Sequence, residues 1–121
     1  MTALPVGLAA GLGALARYVT DQVVQSQHDS VFPVGTFVIN VTGSLLLGLV
    51  TGLGSSHGLP RELVVVLSAG FCNGFTTWST FGYETLALAE GGSLYEAAGN
   101  VTASLAVGLA AAAAGFGFAL L

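Results

Sequence analysis

Four stretches of this chain contain no Asp, Glu, Lys or Arg: residues 1–16, 30–60, 63–83 and 97–121. A helix rises ~1.5 Å per residue, so ~20 residues cross the ~30 Å hydrocarbon core of a bilayer, and uncharged apolar runs of ~18 or more read as spans. A soluble domain needs about 25% charged residues to cover its surface. Here 7% of 121 residues are charged and 54% are hydrophobic. Disordered chain, soluble enzyme and nucleic-acid binder are excluded. Lysine is absent, and Arg17 and Arg61 form no basic patch. The single cysteine, Cys72, excludes an intrachain disulfide framework and any cysteine-based metal site. Residues 1–16 lack the basic start and small-residue cleavage site of a signal peptide and read as the start of a retained first span.

The expected fold is an all-α membrane protein, one unit over residues 1–121, with transmembrane helices at about 4–24, 32–54, 62–89 and 95–120. Gln25–Ser30 forms the first connection, and Pro33 fits the opening turn of the second helix. Gly54–Gly58 is turn chemistry ahead of Pro60, and Glu90–Ser93 ends the third helix. All loops are short, so an extramembrane active site has nowhere to sit. Neither His28 nor His57 has a partner motif; both fall in loops and read as surface histidines.

Residues 40–49 read NVTGSLLLGL and residues 100–109 read NVTASLAVGL, a repeat at a spacing of sixty. The chain therefore reads as two two-helix halves. Small residues recur four apart at Gly7/Gly11, Gly48/Gly52, Gly70/Gly74, Ser104/Gly108 and Ala111/Gly115. Such pairs allow close helix packing in lipid, although 18 glycines in apolar sequence also generate them without design.

Asn40, Ser44 and Gly48 are spaced by four, as are Asn100, Ser104 and Gly108, so each set forms one helical stripe. An Asn at membrane depth needs partners: it is either interhelical glue or the lining of a permeation path, and two equivalent Asn leave those readings about even. Span three is denser, with Asn73, Thr76, Thr77, Ser79 and Thr80 mid-span beside Gly70 and Gly74. That is a poor helix centre and a good place for a break, whose freed carbonyls suit a cation. Trp78 and Phe81 share a face at i, i+3, and aromatic edges carry the positive part of the ring quadrupole, which suits an anion without any formal charge.

The run GFCNGFTTWSTFGYE, residues 70–84, resembles the GFxGGxTTFSTF-like signature of the Fluc/CrcB family of small fluoride channels. The resemblance extends to GLGALARY at 11–18 and GTFVINVTGSLLLG at 35–48, and more loosely to Asn100 and Ser104. It implies a four-span, non-enzymatic subunit of a multi-pass cell-membrane protein. Its third helix is broken mid-span, and two chains form an antiparallel, dual-topology dimer with two fluoride pores. By the resemblance, the pore residues are Asn40, Trp78, Ser79, Thr80, Phe81, Asn100 and Ser104. A structural sodium at the dimer centre is held by the backbone carbonyls of Asn73 and Thr76. Arg17 is the family's span-one arginine and Glu84 the acid after the aromatic run. Asn73 stands where glycine is usual, and Trp78 where phenylalanine is usual. The expected partners are fluoride, the lipid bilayer, and either a second copy or a similar sister chain, with no nucleic acid.

Three other readings compete. A four-span secondary exporter of organic cations wants a mid-membrane carboxylate, and Glu84, the nearest, lies toward the end of span three. A passive assembly subunit leaves the clustered hydroxyls unexplained. A non-conducting partner subunit of a heterodimeric channel fits the Trp78 and Asn73 departures.

Overall fold

The structure, a computed structural model, describes residues 3–27 and 32–121. His28 lies outside those residues. Among the described residues the elements are all helical: α1 (Ala3–Ser26), α2 (Val34–Ser56), α3 (Arg61–Val65), a π-helical segment (Val66–Cys72), α4 (Asn73–Phe75), α5 (Ser79–Glu90) and α6 (Leu94–Ala119). Among the described residues, α1, α2 and α6 are long and apolar enough to cross a membrane.

Local chemistry sets the ends. Pro33 and Pro60 each stand one residue before a helix, where their carbonyls accept from Phe37 and Val64 at 3.1 and 3.0 Å. That is the N-cap place, one step earlier than the first-turn position expected for Pro33. Gly54, Ser55 and Ser56, expected as a turn, are helical, and the chain turns at Gly58 with φ 68°. Their hydroxyls are absorbed by the helix: those of Ser55 and Ser56 both donate to the Gly52 carbonyl, at 3.1 and 2.8 Å. Gly92, with φ 88°, makes the tight turn between α5 and α6.

Helices α1 and α2 run antiparallel, as do α5 and α6, whereas α2 with α6 and α1 with the π-helical segment run parallel. Gly35 of α2 faces Asp21 and Gln25 of α1. Along α2 and α6, Ser44 meets Gly108, Gly48 meets Ala112, Gly52 meets Phe116 and Ser56 meets Ala119, so both numbers rise together. Likewise Gly70 and Gly74 meet Val6, Ala9 and Ala10 of α1. At Gly48 and Gly74 an added Cβ would land on the carbonyl oxygens of Ala112 and Ala10, which makes glycine obligatory for these crossings.

Packing is inverted relative to a soluble bundle. The buried positions of α2 include Gly35, Gly43, Gly48 and Gly52, while Leu4, Leu8, Leu12 and Leu15 form an exposed stripe on α1. Between helices in lipid there is no apolar surface to hide from water, so close backbone approach and hydrogen bonds hold the bundle together.

Candidate functional site

Helix α4 stops because Thr76 leaves helical geometry, with φ −82° and ψ 164°. The helical pattern would give the Asn73 carbonyl the N–H of Thr77, and the Thr76 carbonyl the N–H of Thr80. Side chains take both donors instead. Thr77 N–H donates to Asn40 Oδ1 at 2.9 Å, and Asn40 Nδ2 donates back to the Thr77 carbonyl at 2.9 Å. Thr80 N–H donates to the Thr77 hydroxyl at 3.1 Å, which caps the start of α5. Two carbonyls, Asn73 and Thr76, are thereby deprived of their helical donors. That of Thr76 receives only a long contact from Arg17 Nη1, at 3.4 Å, among the described residues. Nothing in residue types marks Thr77 as the hub of the break; its burial and its two-way pairing with Asn40 do.

The break opens onto a groove of about 620 Å³. Asn40, Asn73, Thr76, Trp78, Phe81 and Ser104 all line it, from four different helical pieces and the break. None of its lining residues carries a formal charge. Several hydroxyls near it are already committed: Ser68 donates to Val64 at 2.6 Å and Thr76 to Cys72 at 3.0 Å. Asn40 keeps one amide hydrogen beyond the one given to Thr77. Trp78 and Phe81 meet edge to face, with centroids 5.6 Å apart and planes at 83°, so one ring edge is spent on the other ring. Phe81 is buried, whereas Trp78 is 74% exposed.

The other residues expected at the site fall elsewhere. Ser79 and Thr80 are exposed and lie outside the groove lining. Asn100 is 1% exposed and stands behind Ser104, between α6 and α5. Glu84 lies beside Thr36 and near Asp21; one oxygen of each carboxylate is buried without a hydrogen-bond partner among the described residues. The stripe of Asn40, Ser44 and Gly48 divides: the first two line the groove, and Gly48 is pressed against α6. His57 is exposed, in contact with the Ser56 hydroxyl at 2.7 Å.

Comparison with known proteins places this arrangement. Residues 4–116 match the family described as CrcB-like protein, Camphor Resistance (CrcB). A Streptomyces avermitilis protein named "Fluoride-specific ion channel FluC 1" is 53% identical over 119 residues, covering 98% of this chain and 96% of its own. A protein of the same name from Frankia casuarinae is 47% identical over 120 residues, covering 95% and 93%. "Fluoride-specific ion channel FluC" of Geobacter metallireducens is 42% identical over 111 residues, covering 91% and 90%. With the match spanning nearly the whole chain, this protein belongs to the CrcB-like family.

Proposed function

We propose that the chain is one subunit of a fluoride-selective channel that lets cytoplasmic fluoride leave the cell passively. The observation that carries this reading is a groove between apolar helices in which amide, hydroxyl and aromatic groups stand among aliphatic side chains, with no formal charge. Relatives named as fluoride-specific channels agree with it. Uncharged donors can replace fluoride's hydration stepwise without holding the ion in place, as other filters do with dipoles. The inside-negative potential drives an anion outward by about 2.3 kcal/mol per 100 mV, so no coupled ion is required.

On this reading α3, the π segment, α4 and α5 together form a fourth, broken span. Two chains pair antiparallel, each groove covered by the other subunit, giving two pores. Asn40, Trp78, Phe81 and Ser104 act from the groove. Ser79 and Thr80 act from the exposed face toward the partner, and Asn100 through Ser104. The carbonyls of Asn73 and Thr76 fit a structural sodium: they are hard oxygen donors released from helical bonding, and pairing two subunits doubles their number. Bound there, the ion would only tie the subunits together and would not be transported.

The test is fluoride release from proteoliposomes containing the purified chain alone, with no proton gradient and with chloride as control. Rapid fluoride and negligible chloride release is expected. Release only under a proton gradient would mean coupled transport and overturn the passive pore. No release from the chain alone would favour a non-conducting partner subunit.

A further inference from the structure

Three hydrogen bonds form a relay from α5 to the groove. The Thr85 hydroxyl donates to the Phe81 carbonyl at 2.8 Å, Asn100 Nδ2 donates to Thr85 Oγ1 at 2.8 Å, and the Ser104 hydroxyl donates to Asn100 Oδ1 at 3.3 Å. A hydroxyl has one hydrogen, and Thr85 spends its own on Phe81. Thr85 can therefore only accept from Asn100, which turns the Asn100 carbonyl oxygen toward Ser104. The two bonds at Thr85 have full-strength geometry, whereas the last exceeds the usual 2.5–3.0 Å range for O–H···O. Ser104 alone of the three relay side chains lines the groove.

We infer that Thr85 is a positioning residue for anion binding: by fixing the Asn100 amide, it gives the Ser104 hydrogen a weak resting acceptor that fluoride must outcompete. This rests on the channel reading above. With the groove empty, the hydrogen rests on Asn100 and Ser104 turns lone pairs outward. When fluoride arrives, the hydroxyl rotates to donate to it, and Asn100 stays in place because Thr85 holds it. The cost of breaking the resting bond keeps the anion from binding too tightly to leave.

Thr85→Val keeps the shape and removes the acceptor. The Asn100 amide is then free to turn its Nδ2 toward Ser104, which leaves the Ser104 hydrogen permanently available to an anion. In proteoliposomes, half-saturating fluoride should fall about twofold, the ratio that corresponds to a hydrogen bond at the weak end of the usual range, and maximal flux should fall with it. Loss of folded protein alone would lower maximal flux at unchanged half-saturation. Thr85→Ser should restore both values. In a Ser104→Ala background, Thr85→Val should leave half-saturation where Ser104→Ala alone puts it. If Thr85→Val does not assemble, Thr85→Ala, which cannot overpack, should give the same shift. An unchanged half-saturation in an assembled variant, or no rescue by serine, overturns the proposal. Absence of fluoride flux in the parent protein would instead sink the channel reading.

Discussion

Asn40 holds the Thr77 backbone through both ends of its amide, and the bond it accepts from Thr77 N–H deprives the Asn73 carbonyl of its helical donor. Its substitutions therefore act on the break as well as on any ion in the groove. Asn40→Asp keeps an acceptor for Thr77 N–H but sets a second carboxylate oxygen against the Thr77 carbonyl. Unpaired buried polar groups cost ~1–3 kcal/mol each. The expected outcome is a lower yield of assembled protein by size exclusion and weaker fluoride flux in what remains; a variant matching the parent in both would mean the staple does not hold the break. Asn73 behaves differently, because in the proposed sodium site it would contribute only a backbone oxygen, from an exposed residue. Asn73→Gly should leave sodium-dependent assembly intact, measured as the dimer fraction in sodium against a large organic cation. Loss of that dependence would assign the ligand to the Asn73 side chain.

At the level of helices, the parallel contact of α2 with α6 depends on missing side chains at particular places. An Ala at position 48 would drive its Cβ into the Ala112 carbonyl, whereas one at 108 would meet only Ser44 Oγ, at an ordinary 3.6 Å. Gly48→Ala should lose ~1–3 kcal/mol through overpacking, while Gly108→Ala should be neutral or gain up to ~1 kcal/mol from helix propensity. Thermal unfolding of the two purified variants should separate them clearly, and equal midpoints would contradict the packing. This contrast shows where sequence patterning loses its grip. The charge-free runs locate α1, α2 and α6, because hydrocarbon tolerates little else over such lengths. Spacing by four cannot say which neighbour a side chain meets. Each step of four advances ~400°, so a stripe drifts ~40° per turn and ~80° over two. That drift carries Asn40 and Ser44 to the groove but Gly48 to α6, and separates Ser104 from the buried Asn100. Thr85 escapes notice for another reason: its role depends on how α5 and α6 fold back on each other, and no local motif encodes that.

Across the whole molecule, the two arginines lie far apart along the bundle, Arg61 at one end and Arg17 with its Nη1 against the Thr76 carbonyl at the break. Arg61 opens α3 beside the turn that follows α2, while Arg17 sits in the later part of α1, which runs parallel to the π segment. The Lys/Arg balance that normally orients a membrane protein is one against one. A cysteine at exposed His57 should thus react with a membrane-impermeant thiol reagent in about half the chains of intact cells, since native Cys72 is buried. Labelling of all chains or none would rule out a dual-topology dimer. The staple at the break also bears on how the protein is made. Asn40 leaves the ribosome 37 residues ahead of Thr77, a wait of roughly two to seven seconds at about 5–20 residues per second. During that interval α2 holds a polar amide in or near hydrocarbon with its permanent partner still unsynthesised. Release of α2 into lipid on its own is therefore disfavoured until the broken segment emerges, and biogenesis couples the two halves before the last helix has been translated.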